Sequence, residues 1–296
     1  MSVIIIVDFS QVMLSNIMIQ IGNHTNAPIE ESMFRHMVLN SIRSYRSKFS
    51  KEFGEMIIAC DTKNYWRKQV FPYYKANRKK SRESSELDWK NIFECLAKIK
   101  QEIRETFPYR VVEVETAEAD DVIATLCMEH GVLEEYLPHE NVEPILILSS
   151  DKDFIQLHRF KNVKQYDPVI KKAFVKHPDP VRYLREHIIK GDTGDGVPNF
   201  LSPDNCLVVG DRQKPVLSKK LEEWVKLDPE KFCTELQLRN YKRNEQLIDL
   251  TKVPADIYRK VLESYEQQAS KKSGDLLDYF MTHRLKNLME NIGEFV

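Results

Sequence analysis

The stretch SVIIIV, residues 2–7, holds three isoleucines and two valines and runs straight into an acid, Asp8. A run this short and apolar has no wet face, which is the pattern of a strand buried in a parallel sheet. Residues 56–60, MIIAC, read the same way and are followed at once by Asp61. Residues 109–114 and 145–148 repeat the pattern, and 163–166 repeat it more weakly. Between these runs apolar residues recur at helical spacing: Met33, Phe34, Met37, Val38, Ile42 and Tyr45, then Leu87, Ile92, Phe93, Leu96, Ile99 and Ile103. Strands alternating with helices predict an α/β fold, a central and mostly parallel sheet flanked by helices, with right-handed crossovers.

Beyond about residue 175 the strand signals fade. Helical patterns cover 182–190, 219–225, 229–236, 256–268 and 274–290, and 291–296 read as a free tail. The expected organisation is an α/β core over 1–175, including a basic segment at 63–90, and a mainly helical region over 176–296.

The chain has 296 residues, 42% hydrophobic and 30% charged, with 44 basic and 45 acidic side chains. Such a composition supports a sizeable core and excludes general disorder. The near balance of charge conceals separated patches, acids in a site with bases around it. The five cysteines have no zinc-site spacing, and their odd number fits a reducing compartment. There is no basic leader and no apolar span of membrane length. The reading is a cytoplasmic protein with no membrane association.

Acids stand where the strands end. Asp8 follows the first, Asp61 the second, and Asp151 comes two serines after the fourth. The carboxyl ends of parallel strands form the usual ligand crevice. The motif ETAEADD adds Glu118, Asp120 and Asp121 at the start of an expected helix near Ala117, capped by Thr116. Glu118 and Asp121 share a face of that helix, and Asp120 points elsewhere. SSDKDF places Asp153 two residues from Asp151, and GDTGDG places Asp192 and Asp195 among glycines that let the backbone bend closely. Nine converging acids repel unless a cation neutralises them, and hard divalent ions bind oxygen ligands. Two such ions can activate a water and stabilise a leaving oxygen in phosphodiester cleavage.

The segment 63–82 carries eight Lys or Arg and no acid, with Tyr65, Trp66, Phe71, Tyr73 and Tyr74 interleaved. Cations bind phosphates and aromatic faces stack on bases. Lys75 and Arg78, about one helical turn apart, are placed to grip the scissile phosphate together. Phosphate-loop, dinucleotide and serine-hydrolase motifs are absent from the sequence. The eight histidines show no metal spacing and read as structural or surface residues.

In order and combination, IVDFSQ, CDTKNYWR, YYKANRKK, AEADD, ILSSDKDFIQLH and IKGDTGDGVPN resemble the flap endonuclease and 5′ nuclease family, and within it the T4 type of phage ribonuclease H. The resemblance covers nearly the whole chain. It implies a 5′-to-3′ exonuclease and 5′-flap endonuclease that removes RNA primers and adjoining DNA during lagging-strand replication. Two Mg²⁺ ions are implied, with Mn²⁺ substituting. Asp8, Asp61, Glu118, Asp120 and Asp151 would serve one ion and Asp153, Asp192 and Asp195 the other, with Asp121 shared or supporting. Lys75, Arg78, Asp120 and Asp151 would be catalytic. The implied partners are RNA–DNA hybrid, 5′-flap or forked duplex DNA, a single-strand DNA-binding protein and a sliding clamp, met by a monomer in the host cytoplasm. NFLSPDNCLVVGD departs from the family's glycine-rich duplex-binding element, and MENIGEFV is the expected protein contact. Without the GDTGDG and basic elements, strand-end acids alone would suit a PIN-like RNA endonuclease. A branched-DNA binder without catalysis would not need the acids.

Overall fold

A computed structural model describes residues 4–21, 30–85, 87–133 and 142–296, with the backbone alone at Ile21 and 79–81. Ser2, Val3, His24, His139 and the side chains of Lys79 and Lys80 lie outside the described residues. Six strands, β1 Ile4–Asp8, β2 Glu55–Ala59, β3 Arg110–Val112, β4 Ile145–Leu148, β5 Val163–Asp167 and β6 Ala173–Val175, form one sheet in the order β3-β2-β1-β4-β5-β6. The five strands β1 to β5 pair in parallel, and β6 runs antiparallel on the edge. The chain leaves β1 towards β2 on one side and reaches β4 on the other. The β1–β4 junction is therefore the switch point where open parallel sheets bind ligands.

The helices are α1 Phe9–Ile21, α2 Glu31–Phe53, α3 Trp66–Val70, α4 Asn77–Glu83, α5 Trp89–Thr106, α6 Ala119–His130 and α7 Pro180–Lys190. They continue as α8 Cys206–Val209, α9 Ser218–Trp224, α10 Glu235–Ile248, α11 Ala255–Glu266, α12 Leu276–Thr282 and α13 Lys286–Met289. Strand parity decides what they cover, because successive side chains point to opposite faces. Ile5, Val7, Met56, Ile58, Leu146 and Leu148 face α1, α2, α5 and α12. Ile4, Ile6, Ile57, Ala59, Ile145 and Ile147 face α6, α11 and the 3-10 helix Lys152–Arg159. A third apolar cluster joins Phe71 and Tyr74, beside α3, to Ile188, Val197, Phe200, Leu221 and Leu247.

The region 176–296 thus divides its work. Its first part builds the third cluster around the basic segment. Later, α11 returns to α6 and β3, and α13 packs against α2. The helix expected over 274–290 is broken: Arg284 sits at φ 55 between α12 and α13. Nor is 291–296 a free tail. Phe295 is fully buried against Phe107 and Phe280, and its carbonyl accepts from the Tyr109 hydroxyl at 3.0 Å. A buried Phe295 is not available as a docking residue, which removes it from the contact expected of MENIGEFV.

Candidate active site

Asp8 ends β1 and is almost wholly buried. It accepts from the Ser149 hydroxyl at 2.9 Å and from the backbone N–H of Gln11 at 3.3 Å. Asp61, beyond β2, accepts from the backbone N–H of Ala119 at 3.0 Å, so it caps the start of α6 from another strand. Asp151, beyond β4, caps the 3-10 helix through the Asp153 N–H at 2.9 Å. Gln165 on β5 holds this turn by donating to the carbonyls of Ser149 and Asp151 at 2.9 and 2.6 Å. Each acid is aimed by a backbone bond at a strand end, the economical use of an otherwise orphaned N–H group.

ETAEADD folds differently from expectation. Thr116 takes φ 66 in the preceding turn and does not cap; Glu118 is the N-cap, in a reciprocal capping box with Asp121. Asp121, fully buried, accepts from the Glu118 N–H at 2.9 Å and from Trp66 Nε1 at 3.1 Å. Its other oxygen lies 2.9 Å from Arg67 Nη2, a charge contact at an angle poor for a hydrogen bond. Both Asp121 oxygens thus face donors, an arrangement in keeping with the supporting alternative of its shared or supporting role. Glu118 is equally engaged: Oε2 accepts from Arg67 at 2.9 Å and lies 3.0 Å from the Tyr74 hydroxyl oxygen, and Oε1 pairs with Lys75. Asp120 points the other way, into the cleft.

GDTGDG is a tight hairpin in which the Val197 N–H bonds the Asp192 carbonyl at 2.7 Å. Gly191 and Gly196 both have positive φ. A Cβ on Gly191 would fall 2.5 Å from backbone atoms of Val197 and Pro198, and one on Gly196 would lie 2.9 Å from the Tyr73 carbonyl. Asp192 closes the hairpin by accepting from the N–H groups of Gly194 and Asp195 at 2.8 and 3.2 Å. The basic segment packs directly on it. Lys75 N donates to the Asp195 carbonyl at 2.7 Å, and Asn77 donates to the Thr193 carbonyl at 2.8 Å. Lys75 Nζ lies 3.4 Å from Asp195 Oδ2, the Tyr74 hydroxyl donates to the same oxygen at 2.8 Å, and Arg78 pairs with Oδ1. Lys75 and Arg78 are thus together, as their spacing suggests, but they close on a carboxylate of the chain.

The electrostatics record the convergence. Burial, then the charges of Asp61 and Asp151, push the Asp8 carboxyl up to about 7. Burial raises Asp120 well above the carboxylate range, with Glu118, Asp151 and Asp8 adding and Lys75 opposing. Asp153 is raised well above that range by burial and by Asp151, Asp192 and Asp195, and Asp192 is raised by burial and Asp195. Asp195 is the exception: against its burial, Lys75, Arg78 and the Tyr74 hydroxyl hold it below the ordinary value. Asp151 acts on both groups, so it joins an Asp8–Asp61–Asp120 set to an Asp153–Asp192–Asp195 set. A cavity of about 10 Å³, room for about one water-sized sphere, touches Asp120, Asp153, Asp192 and Asp195.

One residue reads differently in space. His187, on the last turn of α7, lies 3.5 Å from Asp153 and 3.9 Å from Asp192, so it belongs to the acid cluster and is not a remote histidine. Arg67 also escaped the sequence pattern, which placed it among the phosphate-binding cations of the basic segment although it is 1% exposed. Ser149 and Gln165 carried no signal at all.

Acids at a switch point, with cations and aromatics against them, define a class of enzymes that cut phosphodiesters. Residues 7–186 match the family described as 5′-3′ exonuclease, N-terminal resolvase-like domain, and 183–295 match the T4 RNase H C-terminal family. The chain is 33% identical to ribonuclease H of Enterobacteria phage T4, over 99% of its own length and 95% of that protein. It belongs to the 5′-3′ exonuclease family of the T4 ribonuclease H type, and is a nuclease, a phosphodiester hydrolase acting on nucleic acid. The fold is shared with the T5 D15 protein co-crystallised with metal ions, at TM-score 0.58 and 17% identity over 90% of this chain and 99% of that one. The T5 5′-exonuclease with divalent zinc ions bound matches at TM-score 0.57, with the same identity and coverage. Among the described residues, no helix is long and apolar enough to cross a membrane.

Proposed function

We propose that this nuclease degrades from the 5′ end and cuts at 5′ flaps, removing RNA from RNA–DNA hybrids and adjoining DNA during replication. The observation that carries this reading is the contact of Lys75 and Arg78 with Asp195, which brings phosphate-binding cations onto the acid cluster. The donor set fits divalent metal: four carboxyls are pushed up by burial and mutual repulsion, and oxygen donors dominate. Asp8, Asp61, Asp120 and Asp151, with Glu118 at the margin, would hold one Mg²⁺; Asp153, Asp192 and Asp195 would hold a second. Mn²⁺ would substitute. When bound, such ions supply an activated water and charge stabilisation at the phosphate.

The protein's own part is positioning. Asp151 reaches both groups and sets their separation. Lys75 and Arg78 transfer from Asp195 to phosphate oxygens, where the lysine supplies point charge and the arginine can hold two oxygens. Arg67 and Asp121 keep Glu118 fixed beneath them. The division of labour follows the expected domains, with the first metal position over 1–175, and duplex binding over 176–296 together with the contribution of 191–196 to the second metal position. A monomer suffices, since one chain supplies every acid. Sliding clamp and single-strand DNA-binding protein are its proposed partners in the host cytoplasm.

The test compares product lengths in Mg²⁺ on a 5′-flap DNA and an RNA-primed duplex. Cutting at the junction and stepwise release of short RNA are expected. Cutting of plain single-stranded RNA, with both duplex substrates untouched, would overturn the reading in favour of a PIN-like endonuclease.

A further inference from the structure

We propose that His187 is a metal ligand of the second position, which thereby offers a nitrogen among its oxygens and favours a first-row transition ion such as Mn²⁺ over Mg²⁺ when both are present. The proposal rests on the reading that these acids hold divalent metal. Asp153, His187 and Asp192 each present one ligand atom, and the three atoms lie within 4.8 Å of one another. The imidazole faces Asp153 Oδ1 through Nδ1 at 3.5 Å and Asp192 Oδ2 through Nε2 at 3.9 Å. Both separations exceed an ordinary hydrogen bond, so neither carboxylate ties up a ring nitrogen.

Local structure holds the ring there. His187 is in the last turn of α7, and its carbonyl accepts from the Gly191 N–H at 2.8 Å, which fixes the turn leading to Asp192. Tyr183, four residues earlier, meets the imidazole edge-on with centroids 5.9 Å apart. The 3-10 helix that carries Asp153 packs along α7. Three elements therefore converge on one imidazole that is still 17% exposed.

The chemistry of the donor decides the preference. Mg²⁺ favours oxygen ligands and keeps its waters, whereas a site that includes a nitrogen binds the first-row ions with affinity rising from Mn²⁺ through Co²⁺ to Cu²⁺. An all-carboxylate position beside it, around Asp8, Asp61 and Asp120, has no such bias. The two positions differ in the ion they hold when several are present, and Mn²⁺ loads the His187 position ahead of Mg²⁺.

The experiment uses the full chain without nucleic acid. Mn²⁺ is titrated at substoichiometric levels, its binding counted by continuous-wave electron paramagnetic resonance, and directly coordinated ¹⁴N detected by pulsed methods. Wild type is expected to show a coordinated-nitrogen modulation that disappears in His187→Gln while Mn²⁺ still binds. Competition with Mg²⁺ should show the Mn²⁺-over-Mg²⁺ preference falling about tenfold or more in the variant. Bound Mn²⁺ in wild type with no nitrogen coupling would overturn the inference and leave the metal reading standing. No bound Mn²⁺ at all would overturn both. The wild-type spectrum decides the matter even where the variant folds poorly.

Discussion

Arg67 and Glu118 form an ion pair at 2.9 Å in which each side chain is 1% exposed. The same guanidinium donates to the Leu247 carbonyl at 3.0 Å and lies over the Trp66 ring, 4.6 Å from its centroid. Arg67→Ala would leave Glu118 and Asp121 without their shared cation. A loss of about 3–5 kcal/mol is expected, because breaking a buried pair strands its partner charge. Urea unfolding checks this; a change below about 1 kcal/mol would show that the pair is not organising the core.

Asp151 stands between the two acid groups. Asp151→Asn keeps the shape and the cap but removes the charge, so turnover should vanish while much of the DNA affinity survives. Parallel cleavage and binding titrations read both, and unimpaired cleavage would refute the assignment.

Lys75 is expected to act more on chemistry than on affinity. Lys75→Ala should lower the single-turnover rate at least tenfold, with duplex affinity falling less. Equal losses would make Lys75 a tether.

The Asp8 carboxyl sets a pH dependence. Its value of about 7 in the fold lies above its ordinary 3.8, so the folded chain binds this proton more tightly than the unfolded chain. Stability from this group is therefore greatest at low pH and declines as pH rises from about 4 to about 7. Asp8→Asn removes the effect. In chelator, the variant's stability relative to wild type should rise between pH 5 and pH 8, by on the order of a few kcal/mol. Thermal or denaturant melts measure it; a difference independent of pH would contradict the buried repulsion.

Phe295 closes the core from the last turn of the described chain. Phe295→Ala should cost about 3–5 kcal/mol, the usual range for a buried phenylalanine. A melting temperature equal to wild type would restore the picture of a loose tail.

The sequence disclosed what depends on local pattern. The strand over 145–148 matches β4 residue for residue, and β1, β2 and β5 agree within two residues, because buried parallel strands are written as unbroken apolar runs. β6 escaped because its side chains are exposed at a sheet edge. Helix α1 escaped because it has apolar residues on every side, and α10 because its buried face includes Asn240, Arg243 and Asn244. Strand-end acids were visible for the same reason as the strands. What each acid touches was not. Whether Asp121 meets Arg67, or His187 meets Asp153, depends on crossovers of tens of residues that no spacing encodes.

The hold of Lys75 and Arg78 on Asp195 makes two binding events interdependent. An N–H group committed to the carboxylate is not available to a phosphate, so a nucleic acid that captures these cations leaves Asp195 uncompensated. A divalent ion beside Asp195 repairs that deficit. On the proposed chemistry the ion therefore binds more tightly once the strand is present, and by thermodynamic reciprocity the strand binds more tightly once the ion is present. In the free protein Asp195 is balanced by Lys75 and Arg78, and on the proposed chemistry only the ternary assembly carries the full complement of catalytic charge.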